Sequence, residues 1–312
     1  MLKFYITFFF CFWIGTALTG KVYSKDNSSF YESHPDLTEK DTINLINSHF
    51  ASPNIRYENK NIITNFADYY QYFGKVFVSS ENISNIITMT GLTIMLRQFD
   101  HGTYTLAHKE YRTNKVYKGL QDYTVNIGEG ASQIGLSTIF GLYGITVKDY
   151  KAINTGSQIL EGFVTTGLMV QLVKHVAGRE RPTAMSKPSG RWDIFPNQKN
   201  YFKSITHYDS FCSGHFASAF TTYIILTENY PNSSAIKLIG IPALGALSIS
   251  LVSKGMHWPS DFPLSMLLGY TFGQVVAGSH LHPDNNINSN LIPILSLNQI
   301  GKKLGLNFVW KL

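Results

Sequence analysis

Residues 159–182 read ILEGFVTTGLMVQLVKHVAGRERP. The apolar run over 159–176, with Glu161 and Gln171 inside it, is too long for an ordinary strand and predicts a helix. Apolar segments of helical length recur at 83–96, 131–147, 215–226, 236–252 and 262–277, so the fold is expected to be mainly α, a helical bundle. Such helices either fill a compact core or cross a bilayer. Gln133, Glu161, Gln171, Lys237 and several glycines interrupt them, and the mean hydropathy of the whole chain is -0.04. The preferred reading is a compact exported bundle, with several membrane spans as the alternative.

The flanks differ in character. Residues 1–20 have a charged start at Lys3, an apolar middle and a small or polar end, which is the pattern of a secretory signal; an uncleaved anchor is the alternative. Residues 21–65 are polar and read as an extended arm with at most a short helix. In the C-terminal extension, 286–312, Leu304, Leu306, Phe308, Trp310 and Leu312 alternate with other residues. That period of two predicts a strand, expected to pair with the stretch near 292–297 in a small hairpin.

The 312 residues are 44% hydrophobic and 15% charged, too apolar for a disordered chain and long enough to bury a core. The formal net charge of +6 favours anionic partners, without any dense Lys/Arg block. A phosphate-bearing substrate or an anionic membrane suits that balance as well as nucleic acid does. Loss of the signal leaves Cys212 as the single cysteine of the mature chain, so no internal disulfide is expected.

Three clusters carry chemistry. In the first, two helical turns from Lys174 to Arg181 put both cations on one face, and Pro182 marks a helix end. In the second, Ser213-Gly214-His215 stands at a helix start, where free backbone N–H groups cradle an anion and His215 sits at the rim. Cys212 invites a cysteine-phosphatase reading, but position 218 is Ser218 where the required arginine would stand. In the third, Pro259 fits the first turn of a helix, with Asp261 at its start and His257 just before it. A carboxylate accepting the imidazole Nδ1–H leaves Nε2 free to attack. Each cluster alone also fits an ordinary helix end or a structural hydrogen bond. The loop at 183–210, with Lys187, Arg191, Trp192, Tyr201, Lys203 and Tyr208, is read as a candidate cover over the site mouth. Gly128-Glu129-Gly130 with Gly135 lacks dinucleotide-binding spacing.

In this order the clusters resemble the type-2 phosphatidic acid phosphatase superfamily, which includes acid phosphatases, lipid phosphatases and vanadium haloperoxidases. Its signatures are K-x6-R-P, P-S-G-H and S-R-x5-H-x3-D. Lys174, Arg181 and Pro182 match the first; Ser213, Gly214 and His215 match the second, with Cys212 for proline. Ser250, His257 and Asp261 match the third, with Leu251 at the arginine position. The resemblance covers roughly 122–279 and implies a helical phosphatase domain, here 66–285, of the acid phosphatase/haloperoxidase type. It implies that His257 is the nucleophile forming a phosphohistidine, Asp261 its orienting carboxylate and His215 the proton donor to the leaving group. Lys174, Arg181 and the backbone of Ser213 and Gly214 would hold the phosphoryl oxygens. It implies no metal and no cofactor, and the sequence shows no concentrated His/Asp/Glu cluster.

Leu251 removes a direct phosphate ligand, a loss of roughly 2 to 4 kcal/mol of transition-state stabilisation. Lys254, about 60 degrees round a helix from it, is the candidate substitute. The expected function is an exported, metal-independent phosphatase acting on phosphomonoesters, with lipid phosphates and isoprenoid pyrophosphates among the substrates considered. No nucleic-acid partner is implied. The expected place is the periplasm or cell envelope; the alternative is an integral membrane protein with its site on the extracytoplasmic side. A weakened or noncatalytic anion-binding envelope protein, on account of Leu251, and a vanadium-dependent haloperoxidase are the competing functions.

Overall fold

The computed structural model describes residues 69–71, 73–74, 80–279, 294–300 and 303–309. The signal at 1–20, the arm at 21–65 and most of the C-terminal extension's flanks lie outside the described residues. Helix α1 (Ser80–Arg97) leads into the more polar α2 (Asp100–Thr113) and α3 (Lys115–Thr124). A 3-10 turn over Val125–Gly128 then enters α4 (Gly130–Val147), α5 (Tyr150–Ala177) and the short α6 (Gln198–Lys203). The chain closes with α7 (Gly214–Asn229), α8 (Ser234–Ser253) and α9 (Phe262–Ser279), followed by the antiparallel pair β1 (Ile294–Ile300) and β2 (Lys303–Val309). The bundle is mainly α, as the six apolar segments predict.

Local chemistry sets the boundaries. Asp149 caps α5 by accepting hydrogen bonds from the amides of Lys151 and Ala152, a contribution of about 1 kcal/mol. At its other end Gly178 takes φ 52°, and its N–H returns to the carbonyl of Lys174. A Cβ at Gly178 would lie 2.1 Å from the carbonyl oxygen of Asp193, so only glycine fits this turn. Ser213 caps α7 and Ser233 caps α8.

Helix α7 is the central element. It packs against α9 and α5, and α4 pairs with α5. Gly269 and Gly273 of α9 permit the close approach: a Cβ at either would come within 2.6 Å of α7 atoms. Phe216, Phe220, Tyr223 and Ile224 of α7 bury against Leu247 and Leu251 of α8, and Ile225 packs with Ile159 and Val276.

Of the polar residues that interrupt the apolar segments, Gln133 and Glu161 point inward, whereas Gln171 is exposed and Lys237 donates to the carbonyl of Pro231 at the surface. Gln133 accepts from Thr222 Oγ1 and donates to the carbonyl of Ile127. Glu161 accepts from the hydroxyls of Tyr69 and Ser157, and Gln158 accepts from Asn229. Outward, Ile139, Leu142 and Ile145 of α4, Leu168 and Leu172 of α5, and Leu238 and Ile239 of α8 are each more than half exposed. The bundle therefore carries an exposed apolar surface in addition to its buried apolar core. Among the described residues one helix, Ser234–Ser253, is long and apolar enough to cross a membrane.

Candidate active site

The C-terminal ends of α5 and α8 and the N-terminal ends of α7 and α9 bring the three clusters to one end of the bundle. His257 lies in the turn after α8 and is 1% exposed. Its Nδ1 lies 2.7 Å from the carbonyl oxygen of Ser210, which can only accept, so the proton sits on Nδ1. Nε2 then carries the lone pair, and this buried atom has no hydrogen-bond partner among the described residues. The expected Asp261 contact is longer, with Oδ2 3.5 Å from Nδ1. Asp261 acts on His257 partly through Ser210: the Ser210 hydroxyl donates to Oδ2 at 2.6 Å, as does the Trp258 amide at 2.8 Å.

Behind Asp261 lies an ion network that sequence reasoning missed. Arg179, fully buried, donates Nη1 to Asp261 Oδ1 and to Ser260 Oγ, and Nη2 to Asp100 Oδ2 at 2.6 Å. Ser260 also donates its amide and hydroxyl to Asp100. The guanidinium lies 4.8 Å from the Trp192 ring and 5.6 Å from that of Trp258. Arg179 is visible in the stretch at 159–182 as a third cation, but nothing in the sequence links it to Asp100 of α2.

Lys174 and Arg181 do not share a helix face as their spacing suggested. Helix α5 ends at Ala177, Gly178 turns the chain, and Arg181 is extended at φ -68°, ψ 155°. Both cations converge on Asp209, which the sequence reading did not single out. Arg181 donates Nε and Nη2 to its two oxygens at 2.6 and 2.5 Å, and Lys174 Nζ lies 3.7 Å from Oδ2. His215 faces His257 with ring centroids 6.2 Å apart.

The amide of Ser213 is held by Ser265 Oγ at 2.8 Å, so it is not available as an anion donor. The first-turn amides of Gly214 and His215 have no partner among the described residues. Cys212 is fully buried with Val170, Leu268 and Phe272, and burial pushes its thiol up to about 12, consistent with packing rather than nucleophilic use.

Burial, aided by the charges of His257, Lys174 and Arg181, pushes His215 down to about 3. His257 is likewise held low by burial, then by Lys174 and Arg181, against the pull of Asp261. Both rings are therefore neutral near neutral pH, as a histidine nucleophile requires. Burial raises Asp100 to about 6 despite Arg179. Burial alone would raise Asp261 too, but Arg179 and the hydrogen bonds from His257 and Ser210 bring it below its ordinary value.

Below about pH 6.5 the unfolded chain protonates two imidazoles that the folded chain keeps neutral, while folded Asp100 takes up one proton below about 6. The imidazoles outweigh the carboxyl, so stability is greatest above about pH 6.5 and falls as pH drops. Thermal midpoints measured from pH 7.5 to 4.5 should decline steadily; a rise over that range would contradict the assignment.

Residues 156–282 match the PAP2 superfamily and enclose all three clusters. This segment is a PAP2 superfamily domain. No curated protein and no solved structure matches the chain. Membership supports phosphoester hydrolysis as the general chemistry, and the departures from the superfamily's signatures can be read on the structure. Leu251 is fully buried against Val125, Phe216 and Leu247 in the PAP2 domain's apolar core. Leu251→Arg is expected to lower stability by on the order of 3–5 kcal/mol, the scale of an uncompensated buried charge, rather than restore a ligand. A denaturant midpoint unchanged from the parent would show that the arginine reaches the site.

Lys254 does not join the cluster. Its ammonium pairs with Asp122 Oδ1 and lies 5.8 Å from the Tyr111 ring, away from the place of the missing arginine for which it was a candidate. The loop at 183–210 is tied down by Glu180, which accepts from the amides of Ser186 and Arg191, and by Tyr201 stacked on His175 at 4.0 Å. Gly128, dismissed as a dinucleotide element, abuts the general-acid candidate: a Cβ there would lie 2.7 Å from His215 Cβ. Gly128→Ala should therefore displace His215 and lower kcat about tenfold or more with a smaller change in KM. Unchanged kcat would place His215 outside the reaction.

Proposed function

We propose that the protein is an exported, metal-independent phosphatase that hydrolyses phosphomonoesters through a phosphohistidine, with lipid phosphates or isoprenoid pyrophosphates as its substrate class. The observation that carries this reading is the orphaned, buried Nε2 of His257, whose proton is fixed on Nδ1 by Ser210. Nε2 attacks phosphorus as the P–O ester bond breaks, and His215, neutral at rest, relays to the leaving oxygen the proton carried by the substrate's phosphoryl group. Water then attacks the phosphohistidine and passes its proton to His215, which returns it to the departing phosphate as His257 is restored. Lys174, Arg181 and the amides of Gly214 and His215 stabilise the phosphoryl oxygens.

The exposed apolar surface of the bundle supports a lipid substrate. Its outer apolar residues match acyl chains, and among its inward polar residues Gln133, Glu161 and Gln158 are hydrogen-bonded within the bundle. Ile194, Phe195, Phe202 and Ile205 are exposed apolar residues on the loop before the Ser-Gly-His cluster, at the same end as the charged site. A lipid phosphate thus meets apolar surface and cations together.

Hydrolysis should proceed in excess chelator in detergent, with a long-chain phosphate ester preferred over a soluble one by kcat/KM. Activity that requires an added metal would overturn the reading. A binding protein without turnover is the second reading, and the apolar residue at position 251 is the observation that favours it; tight phosphate binding with no hydrolysis would select it.

A further inference from the structure

We propose that Asp209 restricts the site to phosphoryl groups carrying a single negative charge; the proposal rests on the phosphatase reading. Asp209 is 5% exposed and occupies the Nε–Nη2 edge of Arg181, the bidentate edge that would otherwise clasp two phosphoryl oxygens. Its Oδ2 also faces Lys174 Nζ at 3.7 Å. The backbone fixes it there: its amide donates to the carbonyl of Ile205, and the next amide, of Ser210, donates to that of Arg179.

The charge balance follows from the groups around it. Lys174 of α5 and Arg181 supply two positive charges and Asp209 one negative. Leu251 adds none, Lys254 is committed to Asp122, and Asp261 is paired with Arg179. His215, His257, Cys212 and Tyr201 are also titratable neighbours among the described residues: burial pushes Cys212 up to about 12, and burial and Asp209 push Tyr201 up to about 12, so both stay neutral, while burial lowers Lys174 and Asp209 opposes that. One net positive charge is left to face the ligand. A dianion beside a fixed carboxylate meets like-charge repulsion at a few ångströms. A monoanion halves it, and its remaining P–O–H can donate a hydrogen bond to Asp209. The same proton is one that neutral His215 lacks for protonating the leaving oxygen. Phosphomonoesters gain that proton below about pH 6.

The test measures binding of phenyl phosphate to the full chain in detergent, in a His257→Ala background that prevents turnover. Affinity should be about tenfold or more tighter at pH 5.5 than at pH 8. Asp209→Asn and Asp209→Ser should each tighten binding at pH 8 by about tenfold or more and reduce the pH dependence to within about threefold. Variants that bind no better at pH 8, or keep the parent's pH dependence, would overturn the proposal. The phosphatase reading fails separately: a protein with active His257 that never hydrolyses phenyl phosphate, while the binding pattern holds, loses the reaction but keeps the charge selection.

Discussion

His257→Ala should abolish phosphoester hydrolysis, a loss of about a thousandfold or more in kcat, because the reaction's first bond is made to the atom removed. Folding should survive the change. His257 contributes a neutral ring whose Nδ1–H bonds to one carbonyl and whose Nε2 bonds to nothing among the described residues, so truncation removes packing and one hydrogen bond. The cost in stability should be on the order of 1–3 kcal/mol. Activity within tenfold of the parent would show that another group attacks phosphorus. His257→Asn, which restores a donor near the Nδ1 position, should recover stability but not turnover, separating scaffold from chemistry.

Arg179→Met should lower both stability and turnover. The guanidinium is fully buried between Asp100 of α2 and Asp261 at the head of α9, and its removal leaves two buried carboxylates without their shared cation. Breaking such a network typically costs about 3–5 kcal/mol. Asp261 should also lose its depressed pKa, slackening the Ser210 contact that orients His257, so kcat falls along with stability. Adding Asp100→Asn to the variant should recover part of the stability, since one uncompensated charge goes with it. Denaturant unfolding of the single and double variants checks both statements; additive losses would mean that Asp100 and Arg179 do not act as a unit.

The bundle was legible in the sequence because its helices are apolar and long, and helical periodicity survives whichever side faces the solvent. What faces inward was not legible. Glu161 and Gln133 look like interruptions in a linear reading, but they form interior hydrogen bonds with Tyr69, Ser157 and Thr222. Helices α2 and α3 escaped notice because they are polar, though α2 supplies Asp100. Within the site, Lys174, Arg181, His215, His257 and Asp261 were named from order and spacing, which the chain keeps close to the active end of the bundle. The partners that tune them come from loops and remote helices: Ser210 on His257, Asp209 on both cations, Arg179 on Asp261. No local pattern announces such contacts, because Arg181 and Asp209 are 28 positions apart in the chain, Ser210 and His257 47, and Arg179 and Asp261 82. Lys254 shows the converse error, since its reach was judged from helix angle alone while Asp122, distant in sequence, decides where the ammonium rests.

The central claim is that His257 Nε2 becomes covalently bonded to phosphorus. Rapid acid-free quench of the parent with a phosphate-labelled substrate, followed by mass spectrometry under alkaline conditions, tests it directly. The account predicts phosphohistidine at position 257 during turnover and none in His257→Ala. Sustained hydrolysis without that adduct, or with phosphate on a different residue, would contradict it.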